Sequence, residues 1–388
     1  MANTYISRTQ ANGTSSQKFT VSCWVKRSGL GATGVLWGSG SSTTDGCDLF
    51  MQTNGELGFE SWDTSVNPKV ITTRKLRDSS GWYHIVLAID TTQGTAANRV
   101  KMYINGVQET VFGTANYPAQ NYNFMVSTTN DVMKFGVGGQ YATSYWNGSM
   151  SHVHFVDGLQ YAASDFGSTD STTGEWKINT SPSVTYGTNG CFLLKDGNTI
   201  TDSSTNSNNF TVAGGTLTKT EDCPDNVFPI FNGMYCPKSS TNAGAFLNGG
   251  TTTGGSPGDA STIASMGVRS GKYYWEVKRQ NAVNTASCGV VRSDSTNVHS
   301  AGIYPGGNGN ASIWTVAYNM GNGYVQKNDN GTQTQQGSLA TLTTGDILGI
   351  ALNLTDYEIK WYKNGTLVTT TSISADWVAY GEFLLPCN

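Results

Sequence analysis

The sequence predicts an all-β protein in which two antiparallel β-sandwich domains are joined by an ordered, loop-rich connector. The first observation is a hairpin motif that occurs twice, around Asn105-Gly106 and around Asn364-Gly365, each time with a Tyr two residues before the Asn. Asn and Gly tolerate the positive φ angles of a type I′ turn, whose twist matches that of the flanking strands. Apolar and polar residues alternate before both turns, as half-buried strands require. The apolar positions are Val100, Met102 and Ile104 in the first copy and Ile359 and Trp361 in the second.

The second observation is a composition dominated by turn residues. Gly occurs 47 times and Pro 9 times, and Ser, Thr and Asn fill the segments between short apolar runs. This pattern is typical of many short strands. A length of 388 residues fits two all-β domains of roughly 100 to 200 residues each. No stretch reaches about 18 apolar residues, and no secretion signal follows Met1, so we expect neither membrane insertion nor export by that route.

Charge and cysteine content narrow the possible functions. The formal net charge is −4 and no run of Lys or Arg is present, so nucleic acid is not an expected partner. Seven cysteines without a CxxC pair or a nearby His at ligand spacing indicate neither a zinc site nor a disulfide framework. We therefore predict mostly buried, reduced thiols, as in a protein that folds in a cytosol. They are Cys23, Cys47, Cys191, Cys223, Cys236, Cys288 and Cys387.

The first predicted domain spans residues 1–160, and some of its strands extend to about residue 215. Turn signals separate its strand candidates, which is the pattern of an antiparallel sandwich. Residues 161–233 form the predicted connector, whose scattered Phe and Trp residues are atypical of a disordered linker. The strand candidates are KFTVSCWVKR (18–27), GVLWGSG (34–40), GELGFES (55–61), WYHIVLAID (82–90), KFGVGG (134–139) and SMSHVHFVDG (149–158).

The second predicted domain spans residues 234–388. It begins with a loop rich in Gly, Ser and Thr and continues with further strand candidates. The sequence has no repeat of roughly 20 to 50 residues, so the doubled hairpin indicates two related domains rather than a solenoid or propeller. The candidates are GKYYWEVKRQ (271–280), SCGVVRSD (287–294), SIWTVAYNMGNGYVQKN (312–328) and GDILGIALNL (345–354).

Several motifs carry a resemblance to known families. In the first domain, WVKR (24–27), GWYHIVLAID (81–90), KMYINGVQE (101–109) and WNGSMSHVHFVDG (146–158) resemble a laminin-G or concanavalin A-like lectin domain. In the second, GKYYWEVKR, SCGVVRSD and GDILGIALNLTDYEIKWYKNG resemble the SPRY family, which is also a concanavalin A-like sandwich. The resemblances imply that both domains are concanavalin A-like jelly rolls.

The connector carries a third resemblance. HFVDGLQYAASDFGSTDSTTGEW, followed by YGTNGCFLLKDG, DSSTNSNNF and DCPDNVFPIFN, is similar to a module of structural and tail proteins of tailed bacteriophages, especially marine ones. It implies a virion protein of the tail-fibre or receptor-binding type, assembled in the bacterial cytoplasm, that contacts other virion proteins and a host surface glycan. A homo-oligomer is expected, with a trimer favoured, because avidity strengthens weak glycan binding. The competing interpretation is a capsid decoration or tail structural protein that binds virion proteins and no receptor.

Catalytic residues are not predicted. Concanavalin A-like glycoside hydrolases need two carboxylates flanking the scissile bond, and in that family the acids lie on one strand as E-x-D-x-x-E, a string this sequence lacks. The nearest acidic group is Glu56, Glu60 and Asp63, of which strand alternation places only the two Glu residues on one face. We interpret this group as a solvated face, and a glycan depolymerase is the third alternative.

A calcium site is the one metal centre that the resemblance implies. Laminin-G domains frequently bind calcium at the rim of the sandwich through Asp side chains and loop carbonyls, in keeping with the preference of this cation for oxygen ligands. The loop acids that could serve are Asp45, Asp48 and Asp131. The alternative is that they form Asx turns. We predict structural roles for His152 and His154, which share a strand face.

Candidate ligand-binding residues are aromatic side chains in loops. Sandwiches commonly bind sugars by stacking an aromatic ring on the apolar face of the sugar while amide and carboxylate groups bind its hydroxyls. The loop YATSYWNG (141–148) has this composition and supplies Tyr141, Tyr145 and Trp146, although Trp146 also occupies a position where the family expects a core aromatic residue. In the second domain Tyr304 is a candidate, with packing or a subunit contact as alternatives.

Overall fold

The chain folds into two compact units, Met1–Phe228 and Pro229–Asn388. The computed structural model describes residues 3–40, 45–63, 67–139, 144–231, 245–247, 252–254, 262–281, 286–295 and 313–387. Within these residues both units are built from antiparallel strands, and the helical elements are 3-10 turns at Ala96–Asn98, Ala163–Asp165 and Ala375–Gly381. No helix in this part of the chain is long and apolar enough to cross a membrane.

The first unit contains two large sheets. One has eight strands in the order β10-β6-β5-β4-β3-β11-β1-β16, the other has six in the order β15-β12-β2-β7-β8-β9, and β13 pairs with β14 in a separate ribbon. The strands are β1 (Tyr5–Thr9), β2 (Lys18–Arg27), β3 (Gly34–Gly40), β4 (Gly46–Met51), β5 (Glu56–Trp62), β6 (Lys69–Lys75), β7 (Tyr83–Asp90), β8 (Val100–Ile104), β9 (Val107–Gln108), β10 (Phe112–Asn116), β11 (Val132–Phe135), β12 (Gly148–Asp157), β13 (Gly167–Thr169), β14 (Trp176–Ile178), β15 (Cys191–Leu193) and β16 (Thr211–Gly214).

The core of the first unit lies between the two large sheets. Side chains of both sheets form one buried apolar cluster. Phe19 from β2 and Phe155 from β12 pack against Trp37 from β3, with ring centroids 5.6 Å and 5.9 Å from the Trp37 ring. All three rings are fully buried. This sandwich is the all-β architecture that the alternating strands predict.

Residues 161–228, which we call the cover segment, fold as part of the first unit. The segment contributes β15 to the edge of the six-stranded sheet and β16 to the edge of the eight-stranded sheet. It also packs on the outer face of the six-stranded sheet, where Phe166 is buried against Val86 and Val156. The sequence predicts a connector over residues 161–233, whereas in the structure the cover segment adds an edge strand to both sheets of the sandwich and packs on one of its outer faces.

Polar side chains of the cover segment explain its Asp- and Asn-rich sequence. The Asp202 carboxylate accepts backbone N–H groups from Phe192 and Asn208, each at 2.8 Å. The side chains of Asn206 and Asn208 donate to the Gly190 carbonyl at 2.9 Å and 2.8 Å. Since buried backbone groups must be hydrogen-bonded, these side chains hold together a loop that has no sheet partners of its own.

The two predicted hairpins are confirmed. Asn105 and Gly106 have φ angles of 47° and 81°, and Asn364 and Gly365 have 49° and 79°. The two Asn residues also contact the neighbouring strand in the same way. The Asn105 side chain accepts the backbone N–H of His84 at 2.8 Å, and the Asn364 side chain accepts that of Ile347 at 2.9 Å. In both units the Asn of the turn therefore bonds the hairpin to the adjacent strand that precedes it in the chain.

The second unit contains a four-stranded sheet in the order β19-β24-β25-β26, a five-stranded sheet in the order β23-β22-β21-β20-β27, and the ribbon β17-β18. Its core cluster includes the fully buried rings of Tyr318, Trp361 and Trp377. The strands are β17 (Ala245–Leu247), β18 (Thr252–Gly254), β19 (Lys272–Lys278), β20 (Ser287–Arg292), β21 (Trp314–Asn319), β22 (Tyr324–Asp329), β23 (Thr332–Gln336), β24 (Ile347–Asn353), β25 (Glu358–Lys363), β26 (Thr366–Ser372) and β27 (Leu384–Cys387).

Candidate functional site

A row of polar side chains crosses the outer face of the eight-stranded sheet. Its members lie directly opposite one another in the strand register, so they share one face of the pleated sheet. The core side chains of the same strands, such as Leu49 and Phe59, point to the opposite face. From β11 to β10 the row consists of Lys134, Gly38, Asp48, Glu60, Lys69 and Asn116.

Two aromatic rings lie on either side of this row. Phe50 is two residues beyond Asp48 on β4, and Trp62 is two residues beyond Glu60 on β5. Both rings lie on the outer face of the sheet, and because β4 and β5 are antiparallel they lie on opposite sides of the row. Four residue steps place the two residues about 13 Å apart along the strands. This separation exceeds the width of one sugar ring.

A glycine on the adjacent strand lies directly opposite each of the two aromatic residues. Gly58 lies opposite Phe50 and Gly46 lies opposite Trp62. A Cβ atom at Gly58 would lie 2.5 Å from the Phe50 ring, and one at Gly46 would lie 3.0 Å from the Trp62 ring. Glycine within a strand commonly marks such a close approach. The two glycines therefore let the rings lie across the neighbouring strands.

The middle of the row and the two rings line a cleft of about 410 Å³. This volume is within the usual range of small-ligand sites. Besides Asp48, Phe50, Glu60, Trp62 and Lys69, the lining includes Asn67 and Ser144. The cleft thus combines two apolar rings with carboxylates, an ammonium group and an amide.

The central carboxylates of the cleft differ in their surroundings. The Asp48 side chain is almost completely buried and accepts the backbone N–H of Gly139 at 2.7 Å. Burial raises the pKa of Asp48 to about 7, and the nearby Glu60 charge also raises it, whereas the Gly139 N–H and Lys134 act in the opposite direction. Glu60 is more exposed and pairs with the Lys69 ammonium at 2.6 Å.

The cations of the row are engaged by neighbouring groups. Lys69 pairs with Glu60, and its Nζ lies 6.0 Å from the centroid of the Phe50 ring. Lys134 donates to the Gly139 carbonyl at 2.8 Å, and burial lowers the pKa of this lysine. The centre of the row is therefore acidic, and the cations of the row lie toward its two ends.

The predicted loop residues occupy different environments. Tyr145 is half-buried, with its ring 6.1 Å from that of Tyr5, and the preceding Ser144 lines the cleft. Trp146 is 8% exposed and packs in the core of the first unit, as the family position implies, so we leave it out of the site. Tyr141 and Tyr304 lie outside the described residues. Ligand binding by Tyr141, Tyr145 and Tyr304 stays a prediction.

The three Asp residues proposed for calcium do not form a metal centre in the described part of the chain. A calcium ion needs several converging oxygen ligands. The described part of the chain contains no group of three or more His, Cys, Asp or Glu side chains placed to hold a metal. Asp48 lines the cleft, Asp131 is buried before β11, and Asp45 is half-buried before β4. Calcium binding through loop carbonyls together with these Asp residues stays a prediction.

The remaining acids and histidines have structural partners. Glu56 lies 3.8 Å from the Lys75 ammonium, and Asp63 accepts the Tyr122 hydroxyl at 2.6 Å. His152 and His154 are buried, and the His154 ring stacks on Phe192 with centroids 4.0 Å apart. Of the acidic group considered from sequence, Glu60 alone lines the cleft.

Sequence reasoning did not identify Phe50, Trp62 or Lys69. The available signal was the pairing of GCDLFM with ELGFESW as neighbouring strands, which aligns each aromatic residue with a glycine. The sequence pattern does not predict β4 as a strand, and without the register of β4 the glycines cannot be matched to the aromatic residues opposite them.

The first unit matches a known family in sequence. Residues 1–164 match the laminin-G family model described as the concanavalin A-like lectin/glucanases superfamily. The comparison with curated proteins gives no match.

Similar solved structures include a heptameric SAP-like pentraxin from Limulus polyphemus, with 14% identity, coverage of 57% of this chain and 91% of the pentraxin, and a TM-score of 0.36. Domains LG4-5 of the mouse laminin alpha1 chain have 11% identity, coverage of 100% and 78%, and a TM-score of 0.32. The SPRY domain of human HERC1 has 21% identity, coverage of 40% and 87%, and a TM-score of 0.27. Similarity at this level carries no information on function. From the family match and the two packed antiparallel sheets, the first unit has a concanavalin A-like lectin fold.

Proposed function

We propose that this protein binds carbohydrate, without cleaving it, in the cleft on the outer face of the eight-stranded sheet. The observation that carries the proposal is the acidic row with Phe50 and Trp62 on either side. Aromatic rings stack on the apolar faces of sugars, and carboxylates accept hydrogen bonds from sugar hydroxyls. The separation of the two rings favours an oligosaccharide over a monosaccharide.

The cover segment supports the choice of this face. It buries Val86 and Val156 on the outer face of the six-stranded sheet. The eight-stranded sheet carries the cleft on its own outer face, and Gly38, Gly46 and Gly58 there make room for the side chains opposite them. A rigid sheet holds these groups in place before a ligand arrives, which lowers the entropic cost of binding.

For the biological role we propose a receptor-binding protein on the surface of a bacteriophage virion, with a host surface glycan as its ligand. The support is the sequence resemblance of the cover segment to modules of phage structural proteins. A homotrimer is part of this proposal because several copies of a weak site raise avidity. The alternative is a capsid decoration or tail structural protein that contacts other virion proteins.

Cleavage is a second candidate, and one observation favours it. Asp48 and Glu60 lie directly opposite each other on adjacent strands, and paired carboxylates are what glycoside hydrolysis needs. We favour binding because Glu60 is engaged by Lys69 and the Asp48 side chain is almost completely buried. Release of reducing ends from a retained oligosaccharide, abolished by Glu60→Gln, would establish cleavage instead.

Retention of the labelled full chain on an array of immobilised oligosaccharides tests the site. We expect the wild type to bind at least one neutral oligosaccharide and Trp62→Ala to bind it about tenfold more weakly. The reason is that the loss of a stacked ring removes roughly 1.5 kcal/mol of apolar contact. Trp62→Phe should restore part of the binding, because it keeps an aromatic ring.

Tyr380→Ala is the matched control, since the Tyr380 side chain is 99% exposed and lies in the second unit. It should bind like the wild type. Equal binding by Trp62→Ala and the wild type would place the site elsewhere, and failure of the folded chain to bind any glycan would remove the proposal. Attachment of the labelled chain to bacterial cells with and without their surface polysaccharide tests the viral role separately.

A further inference from the structure

The two central carboxylates of the cleft give it a charge preference. Asp48 and Glu60 are directly opposed on β4 and β5, which brings their Cβ atoms to about 5 Å in an antiparallel pair. Lys69 balances Glu60 at 2.6 Å. Asp48 instead accepts a backbone N–H from Gly139 and forms no ion pair within the described residues. The buried Asp48 carboxylate is thus not held in a direct ion pair, although Lys134 lies near enough to favour its charged form.

Among the described residues of the row and the cleft lining, an anionic ligand would find no uncommitted cation. The Lys69 ammonium is held by Glu60, and Lys134 donates to the Gly139 carbonyl. A ligand carboxylate over the centre of the row would lie close to two protein carboxylates. Such like-charge contacts are an effective way for a site to reject a ligand.

We propose that the cleft binds uncharged sugars and excludes uronic and sialic acids, with Asp48 as the residue that sets this selectivity. The inference rests on the proposed function, because it concerns the same cleft. A neutral sugar donates hydroxyl hydrogen bonds to the more exposed Glu60, whereas an acidic sugar brings a negative charge that the Glu60 and Asp48 carboxylates repel.

The charge state of Asp48 makes the selectivity depend on pH. The groups that face Asp48 are Glu60 from β5, Lys69 from β6 and Lys134 from β11, while β3 presents Gly38. Burial raises the pKa of Asp48 to about 7. Above this pH Asp48 is ionised and repels an anion. Below it Asp48 is protonated and can donate a hydrogen bond, so the exclusion weakens as pH falls.

The test compares pairs of ligands that differ in one group. Immobilised oligosaccharides ending in glucose, galactose or mannose are paired with the same oligosaccharides ending in the corresponding uronic acid. The full chain should bind the neutral member roughly tenfold or more tightly at about pH 8, and the ratio should fall toward one at about pH 5.5. Uronic acids stay ionised at both values, so the change reports on the protein.

Asp48→Asn removes the negative charge of this side chain with little change in its shape. This variant should bind neutral and acidic members within about twofold of each other at both pH values. Glu175→Gln makes the same change in net charge at an exposed position of the cover segment, and it should keep the wild-type ratio. Circular dichroism of each variant confirms that it is folded.

The outcomes separate the two proposals. If the folded wild type binds neither member of any pair, the proposed carbohydrate-binding function fails. If it binds both members equally at pH 8, or if Asp48→Asn keeps the wild-type ratio, the selectivity inference is overturned while carbohydrate binding stands. A wild-type ratio that does not change with pH also contradicts the role given to Asp48.

Discussion

Replacing Asp222 by Ala should lower the free energy of unfolding of the first unit by about 3–5 kcal/mol. The Asp222 carboxylate accepts a hydrogen bond from the Lys26 ammonium, with Nζ and Oδ2 2.8 Å apart, and the Lys26 side chain is fully buried. The same carboxylate also accepts the Trp82 indole N–H at 3.2 Å and the Phe228 backbone N–H at 2.9 Å. Without Asp222, the Lys26 charge would stay inside the fold with no opposite charge, and the end of the cover segment would lose its attachment.

Urea denaturation of the full chain, followed by hydrogen exchange of peptides from β2 and β21, measures this effect in each unit. Peptides from β2 should lose protection at lower urea in Asp222→Ala, whereas peptides from β21 should be unchanged. Asp170→Ala removes the half-buried partner of the more exposed Lys177 and should cause a far smaller loss, because solvent and salt screen that pair.

The double variant Lys26→Met with Asp222→Leu distinguishes charge from packing. It should regain the part of the lost stability that comes from the uncompensated Lys26 charge, since a buried ion pair can be replaced by apolar side chains of similar size. The loss that comes from the Trp82 and Phe228 N–H groups should remain, because leucine cannot accept them. The account is wrong if Asp222→Ala is no more destabilising than Asp170→Ala.

Acid should destabilise the first unit well above the pH at which most carboxylates titrate. His84 lies between Trp24 and Trp176, with ring centroids 5.0 Å and 5.9 Å away, and its Nδ1 accepts the Trp176 indole N–H at 3.0 Å. Burial lowers the pKa of His84 to about 3. Burial also lowers the pKa of His154 well below its ordinary value. Both rings are therefore neutral in the fold.

The sign of the effect follows from proton binding. Below about pH 6.5 the unfolded chain protonates these histidines and the folded chain does not, so each costs about 1.4 kcal/mol of stability per pH unit as pH falls toward its folded pKa. Asp48 acts in the opposite direction. Because the pKa of Asp48 is raised, the folded state binds a proton before the unfolded chain does as pH falls below about 7. Down to about pH 4, this stabilises the fold by about as much as one of the two histidines destabilises it.

Urea denaturation at about pH 7 and pH 5 checks this balance. The wild type should lose stability in the first unit at the lower pH, with β2 peptides as the reporter. Asp48→Asn removes the offset and should steepen the loss by about 1.4 kcal/mol per pH unit. A first unit that is equally stable at both values, or an Asp48→Asn variant with the wild-type slope, would contradict these burial assignments.

The parts of the fold that sequence predicted are those fixed by local pattern. The Asn-Gly turns require positive φ at consecutive residues, and both have it. The predicted alternation before the first turn is also confirmed, since Val100, Met102 and Ile104 are buried while the residues between them are partly exposed. These features depend on neighbouring residues, so they are visible without knowledge of the sheet.

The cleft could not be predicted in the same way because it is a property of strand register. The sequence predicts Asp48 as a loop acid and Glu60 as part of a solvated face, and only the pairing of β4 with β5 places them side by side. The pairing of β5 with β6 then adds Lys69. The cover segment posed the same problem, since its Asp and Asn residues resemble linker composition until their backbone partners are known.

The most direct test of the central claim is hydroxyl-radical oxidation of the full chain with and without the neutral oligosaccharide that it retains. Bound sugar should lower the oxidation rate of Trp62, while the exposed Tyr274 and Tyr380 of the second unit keep their rates. Protection of Tyr145 or Tyr141 in addition to Trp62 would extend the site to the loop formed by residues 141–148. If Trp62 is oxidised at the same rate under saturating sugar while another aromatic residue becomes protected, the cleft is not the binding site.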